Sequence, residues 1–168
     1  MTSYCMSNVE KVTRETIEKG GILALLYFDL HGKDKDKLVN LGAGFVKGVL
    51  KEPGVVYAVG EISEPIEQDK VISTSIELKV LCDSFLSISN LCSKYSPFSI
   101  EIIRPDKINL TIDVAHEVLM NLATTTFEYK KYILEKISSP EELEVYKTSL
   151  NNKILVGKSI REKKGETK

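Results

Sequence analysis

The sequence predicts an α+β protein in which residues 22–108 form a βαββαβ sandwich, with a helix before it and a helical extension over 109–168. Three observations carry this. Ile22 to Phe28 is apolar at every position, as a central strand is when layers cover both its faces. The order of patterns is strand, helix, strand, strand, helix, strand, with short connections. Beyond Asn109 the strand patterns stop and a helical period runs to Ile137. This layout is ferredoxin-like. It places the four strands in spatial order 4-1-3-2, with the helices from residues 36 and 84 on one face.

Each element has its own signals. Ser7-Asn8-Val9-Glu10 reads as a capping box for a short, mostly solvated leading helix in residues 1–21, stopped by Gly20-Gly21. After the first strand, His31-Gly32 turns the chain and Asp34 or Asp36 caps a helix with Leu38, Leu41, Phe45 and Val49 as its apolar stripe. Glu52-Pro53-Gly54 ends it. Gly54 to Ser63 and Val71 to Cys82 read as an antiparallel hairpin, joined by the polar loop Glu64 to Lys70. Asp83 or Ser84 caps the second helix, bearing Phe85, Ile88 and Cys92, and Phe98 to Arg104 is the fourth strand. Thr111 caps a pattern carrying Ile112, Ala115, Leu119, Leu122, Ile133 and Ile137. That segment would be about 40 Å long against about 20–27 Å for a strand, so it overhangs the sheet, bends near Thr124-Thr125-Thr126, or meets another chain. Ser139-Pro140-Glu141-Glu142 caps a last helix, and Arg161 to Lys168 reads as a polar, frayed end.

Composition sets the class. At 168 residues the chain suits one core with an appended piece, and 42% apolar with 28% charged residues is ordinary for a globular domain. A net charge of -1 supplies no basic field for nucleic acid, and the longest apolar run is too short to span a membrane. Without a signal-peptide pattern, the expected compartment is the cytoplasm. Abundant Lys and Glu with a single glutamine, Gln68, hint at a thermophilic source. Cys5, Cys82 and Cys92 form no CxxC, so neither a disulfide framework nor a zinc site is expected. HExxH, GxSxG and Walker A motifs are absent, and Gly42 to Gly48 lies inside a helical pattern, where small residues let a helix approach a sheet. No cofactor and no metal is expected.

Strand alternation separates the two faces of the sheet. Ala24, Leu26, Phe28 and Leu30, with Ile72, Ile76, Leu78 and Val80, suit the helix-covered face, and Phe98, Ile100 and Ile102 are expected to join them. The second face carries Leu23, Leu25, Tyr27, Asp29 and His31 beside Ser73, Ser75, Glu77 and Lys79. Its apolar part needs a cover: another copy of the sheet, or the helix from Thr111. The candidate ligand site is the end of the first strand, with Tyr27, Asp29, His31 and Gly32, and with Glu77 and Lys79 on what is expected to be a parallel neighbour. The plainer reading of these side chains is an ion-paired sheet surface. His116 lies near an apolar stripe and reads as structural.

Glu52-Pro53-Gly54-Val55-Val56-Tyr57-Ala58-Val59-Gly60-Glu61, followed by Ser75-Ile76-Glu77-Leu78-Lys79-Val80, resembles the ACT and RAM families of βαββαβ regulatory modules over Ile22 to Ile103. The chain also looks like an uncharacterised archaeal family with the same layout and a helical C-terminal extension. The ACT/RAM-like resemblance implies assembly into a homo-oligomer, a dimer or larger, and binding of an amino acid or similar small-molecule effector. It places Gly32 near such a ligand. Two functions follow as expectations: an oligomeric small-molecule-binding or interaction module, or a small enzyme using a sheet-face acid/base cluster in a dimeric ferredoxin-like barrel. The sequence leaves open whether the protein is an enzyme.

Overall fold

In a computed structural model describing residues 2–68 and 71–165, the elements follow the order α1 (Thr2–Glu18), β1 (Ile22–Gly32), α2 (Lys35–Val49), β2 (Val55–Ile62), β3 (Ile66–Gln68), β4 (Val71–Cys82), α3 (Phe85–Tyr95), β5 (Ser99–Arg104), α4 (Ile112–Ile137) and α5 (Pro140–Gly165). The chain divides into two units, residues 1–122 and 123–168. The first holds a five-stranded antiparallel sheet in the order β2-β4-β1-β5, with short β3 paired to β4. The apolar strand from Ile22 is therefore interior, and the four long strands stand in the order expected.

The direction of β4 differs from expectation: it runs antiparallel to β1, with Leu26 opposite Leu78 and Tyr27 opposite Glu77. The connection explains this. A helical crossover brings β2 back parallel to β1, the hairpin reverses β4 against β2, and β4 inserts between them. The loop expected between β2 and β4 is also more ordered. β3 pairs Ile66 with Ser73 and Gln68 with Val71, so the hairpin continues past Pro65, which lacks the N–H needed to keep the ladder unbroken. Asp69 and Lys70, the end of that expected loop, lie outside the described residues.

The core lies on one face. Ala24, Leu26 and Phe28 of β1 and Ile76, Leu78 and Val80 of β4 pack under Phe45 and Val49 of α2 and Ile88 and Leu91 of α3. Asp34 caps α2 by accepting from the Lys37 N–H, and Ser84 caps α3 by accepting from the Ser87 N–H. In α2 the stripe facing the core is Leu38, Gly42 and Val49, all buried, with half-buried Phe45, whereas Leu41, expected in it, is 58% exposed. A side chain at Gly42 would press on Ile62 and Ile76, so the glycine lets the helix sit close to the sheet. The expected inward set of β5 is corrected too: Phe98, Ile100 and Ile102 are all exposed. β5 is an edge strand, and α2 and α3 pack on β1, β2 and β4.

Glu52, just past the end of α2, accepts from Lys94 Nζ and from the Tyr95 hydroxyl, both at 2.6 Å, and so ties α2 to the end of α3. The Lys94 hydrogen bond, then that of Tyr95, holds the Glu52 carboxyl below its ordinary value. A depressed carboxylate pKa contributes stability that is full above the unfolded value of about 4.3 and is lost as pH falls through the folded value. Glu52→Gln keeps the shape and removes the titration. Thermal melts down the acid limb should therefore show a shallower fall for the variant than for the wild type. Parallel acid limbs would mean that the cluster carries no pH dependence.

In the second unit, the rest of α4 is joined to α5 by Ser138-Ser139, where Ser139 and Glu142 exchange hydrogen bonds as a capping box. α4 continues as helix through Thr124–Thr126. α5 runs to Gly165, beyond the start of the expected frayed end; residues 166–168 of that end lie outside the described residues.

Candidate functional site

The face of the sheet opposite the core is built by direct cross-strand neighbours. Along β1 and β4 the pairs are Leu23 with Leu81, Leu25 with Lys79, Tyr27 with Glu77, Asp29 with Ser75 and His31 with Ser73. β2 adds Tyr57, Val59 and Glu61 beside Leu81, Lys79 and Glu77, and β5 adds Glu101 beside Leu25.

The apolar end of this face is roofed by α1, which is mostly solvated over residues 8–18, as expected, but turns Thr13 inward. Thr13 is buried, donates its hydroxyl to the Val9 carbonyl at 2.7 Å, and lies 3.1 Å from the Tyr57 hydroxyl. Leu23 and Leu81 beside it are buried. Neither of the covers expected from sequence is needed at this end. α1 escapes the apolar count because a hydrogen-bonded threonine does the covering.

Past that roof the face is open and acidic. Asp29, Glu61, Glu77 and Glu101 are exposed, with Lys79 among them, and Glu61 stands directly opposite Glu77. Such like-charge pairing disfavours the sheet slightly. Burial raises the Tyr27 phenol above its ordinary value, with Glu77 and then Glu101 adding to the effect. Its ring lies 6.2 Å from that of Phe98.

At the polar end of β1 a groove of about 300 Å³ opens. Asp29 and His31 form one wall, Ser73, Thr74 and Ser75 the floor, and Ser63, Glu64 and Ile66 the other side. His31 Nδ1 is 2.8 Å from the Ser73 hydroxyl, and the Ser63 and Ser75 hydroxyls are 2.9 Å apart. Thr74 donates to the Ser63 carbonyl at 2.6 Å, pinning the strand where Pro65 interrupts pairing. The groove thus follows from the proline: the ladder breaks, β2 and β3 part, and a concavity remains.

Of the residues singled out from sequence, Asp29 and His31 line the groove. Tyr27 and Glu77 face each other one same-face step away. Lys79 stands opposite Leu25, about 13 Å along the strand from the level of Asp29, because β4 is antiparallel and not parallel. A side chain at Gly32 would meet Leu38, on the helix-covered side. Ser63, Glu64 and Ile66 fall in the expected strand end and loop, and Pro65 is the sequence signal that marks them.

The groove offers two carboxylates, an imidazole and several hydroxyls, a set suited to hydrogen-bonding a small polar molecule. Among the described residues no group of three or more His, Cys, Asp or Glu side chains is arranged to hold a metal ion. Burial, then Asp83 and Cys92, pushes the Cys82 thiol up to about 12, so it is no ready nucleophile. Among the described residues no helix is long and apolar enough to cross a membrane.

Fold and face together define a mixed α+β protein with, among its described residues, five helices and a five-stranded antiparallel sheet. The chain belongs to the MJ0538 family, whose pattern matches residues 23–156, from β1 well into α5. No curated protein and no solved structure matches it.

Proposed function

We propose that this protein is an oligomeric, ferredoxin-like small-molecule-binding module of the ACT/RAM-like kind, acting in the cytoplasm without nucleic-acid or membrane partners. The ligand enters the groove at the end of β1, and its chemistry is that of an amino acid or a similar small amine. The observation that carries this reading is the His31–Ser73 contact in a hydroxyl-rich groove between the carboxylates of Asp29 and Glu64. The carboxylates suit an ammonium group, and His31 with the serines suits its polar remainder. Tyr27 and Glu77 lie one same-face step from the groove, whereas Lys79 and Gly32 lie outside it.

The same contact gives the enzyme reading its one foothold, since an imidazole 2.8 Å from a hydroxyl is the start of a base–nucleophile pair. Binding is favoured because no residue described around the pair supplies a third, orienting member.

Calorimetric titration with a panel of amino acids and small amines tests the proposal. One class should bind, and His31→Ala and Asp29→Asn should each weaken it about 10-fold or more, as expected for charge-assisted hydrogen bonds. Turnover of a bound compound, lost with Ser73→Ala, would favour the enzyme. Binding that neither groove variant changes would place the ligand elsewhere, and no binding across the panel would sink the reading.

A further inference from the structure

The second unit is under-packed as it stands. None of residues 123–153 is buried, and Leu134, Leu143, Tyr146 and Leu150 are only half-buried. Val145, Leu155 and Val156 of α5 are 71, 63 and 57% exposed. Helices of this length are marginal in water unless an apolar face is covered. One face of α5 borders a shallow groove of about 860 Å³ in which Val145, Ser149, Asn152 and Val156 recur at i, i+4, i+7 and i+11. That spacing is a single stripe able to lie against another helix.

Charge selects what lies there. Three of the four acids of α5, Glu141, Glu142 and Glu144, lie in its first turns, while Lys147, Lys153 and Lys158 follow and the fourth acid, Glu162, stands among Arg161, Lys163 and Lys164. A parallel partner helix of the same sequence would stack like on like. An antiparallel one sets the acidic end of each against the lysines of the other. Glu144 and Lys158 are close to four helical turns apart, so both fall on the same flank of the stripe. With the axis between Leu150 and Asn151, Val145 meets the partner copy's Val156, Ser149 comes level with its Asn152, and Glu144 lies within one residue's rise of its Lys158.

We infer that α5 is a self-association surface, on which a second copy of this chain docks its own α5 antiparallel. The inference rests on the oligomeric reading above and supplies its interface. Sedimentation of the full chain over a concentration series tests it, with Glu144→Lys, Lys158→Glu, the double reversal and Val156→Lys beside the wild type. Each single reversal should raise the dimer dissociation constant about 3- to 10-fold at low salt, and the double should return it close to the wild-type value. Val156→Lys should abolish dimers, with circular dichroism reporting that helix content is retained. A wild-type dimer that no variant weakens overturns the α5 surface and leaves the oligomer standing. A wild type that is monomeric throughout overturns both, while ligand binding in the β1 groove is still judged by its own titration.

Discussion

Leu26→Ala should lower the unfolding free energy by about 2–5 kcal/mol, the range for deleting a fully enclosed aliphatic side chain. Leu26 is 1% exposed, in the middle strand of the sheet, with Leu78 on one side and Ile100 on the other. Phe45, Val49 and Ile88 roof the same layer, so little can move to fill the cavity. Leu41→Ala is the control, because that leucine is 58% exposed and the change should cost about 0.5 kcal/mol or less. Urea denaturation with an unchanged m-value reads both. Equal costs for the two would mean that α2 does not present the face described.

The sequence made some levels of this structure legible and hid others. The unbroken apolarity of Ile22 to Phe28 marked an interior strand, and the alternation from Ser73 to Lys79 told which side chains share the open face. Alternation carries no direction, however, and so β4 was expected to run the wrong way. Only the hairpin linking it to β2 fixes it as antiparallel. A count of apolar side chains cannot see Gly42 as a core position, and it promoted Leu41 into the stripe. Ile100 and Ile102 do sit on the core side of β5, opposite Leu26 and Ala24, whereas Phe98 precedes the strand with its ring beside Tyr27; how far two helices reach across a sheet is a tertiary property that no strand pattern records. At the candidate site, Asp29 and His31 were marked by the point where an apolar strand turns polar. The opposite wall was hidden, because it depends on Pro65 splitting a strand that later resumes. Lys79 was drawn in by the wrong strand direction alone.

Gly54→Ala should be nearly as damaging as the core truncation, at about 2–4 kcal/mol, although it adds one methyl and removes nothing. Two costs combine. The backbone at Gly54 has φ +79, a conformation that costs a residue with a side chain roughly 1 kcal/mol. The new methyl would also collide with the Ser87 hydroxyl, lie 2.7 Å from Ser87 Cβ and lie 2.8 Å from Asp83 Oδ1. None of these can step aside cheaply. The Asp83 N–H donates to the Gly54 carbonyl at 2.8 Å, and the Ser87 hydroxyl donates to Asp83 at 2.6 Å while lying 2.8 Å from the Ser84 hydroxyl that caps α3. The Pro53-Gly54-Val55 turn is thus wedged against the start of α3, which gives the glycine in that motif a physical cause. Ser87→Ala separates the two costs. In a double-mutant cycle by chemical denaturation, it should recover the part of the crowding penalty that the hydroxyl causes, leaving about 1 kcal/mol of backbone strain together with the contacts to the Cβ at position 87 and to Asp83. Additive losses would show that crowding against Ser87 is not what makes position 54 a glycine.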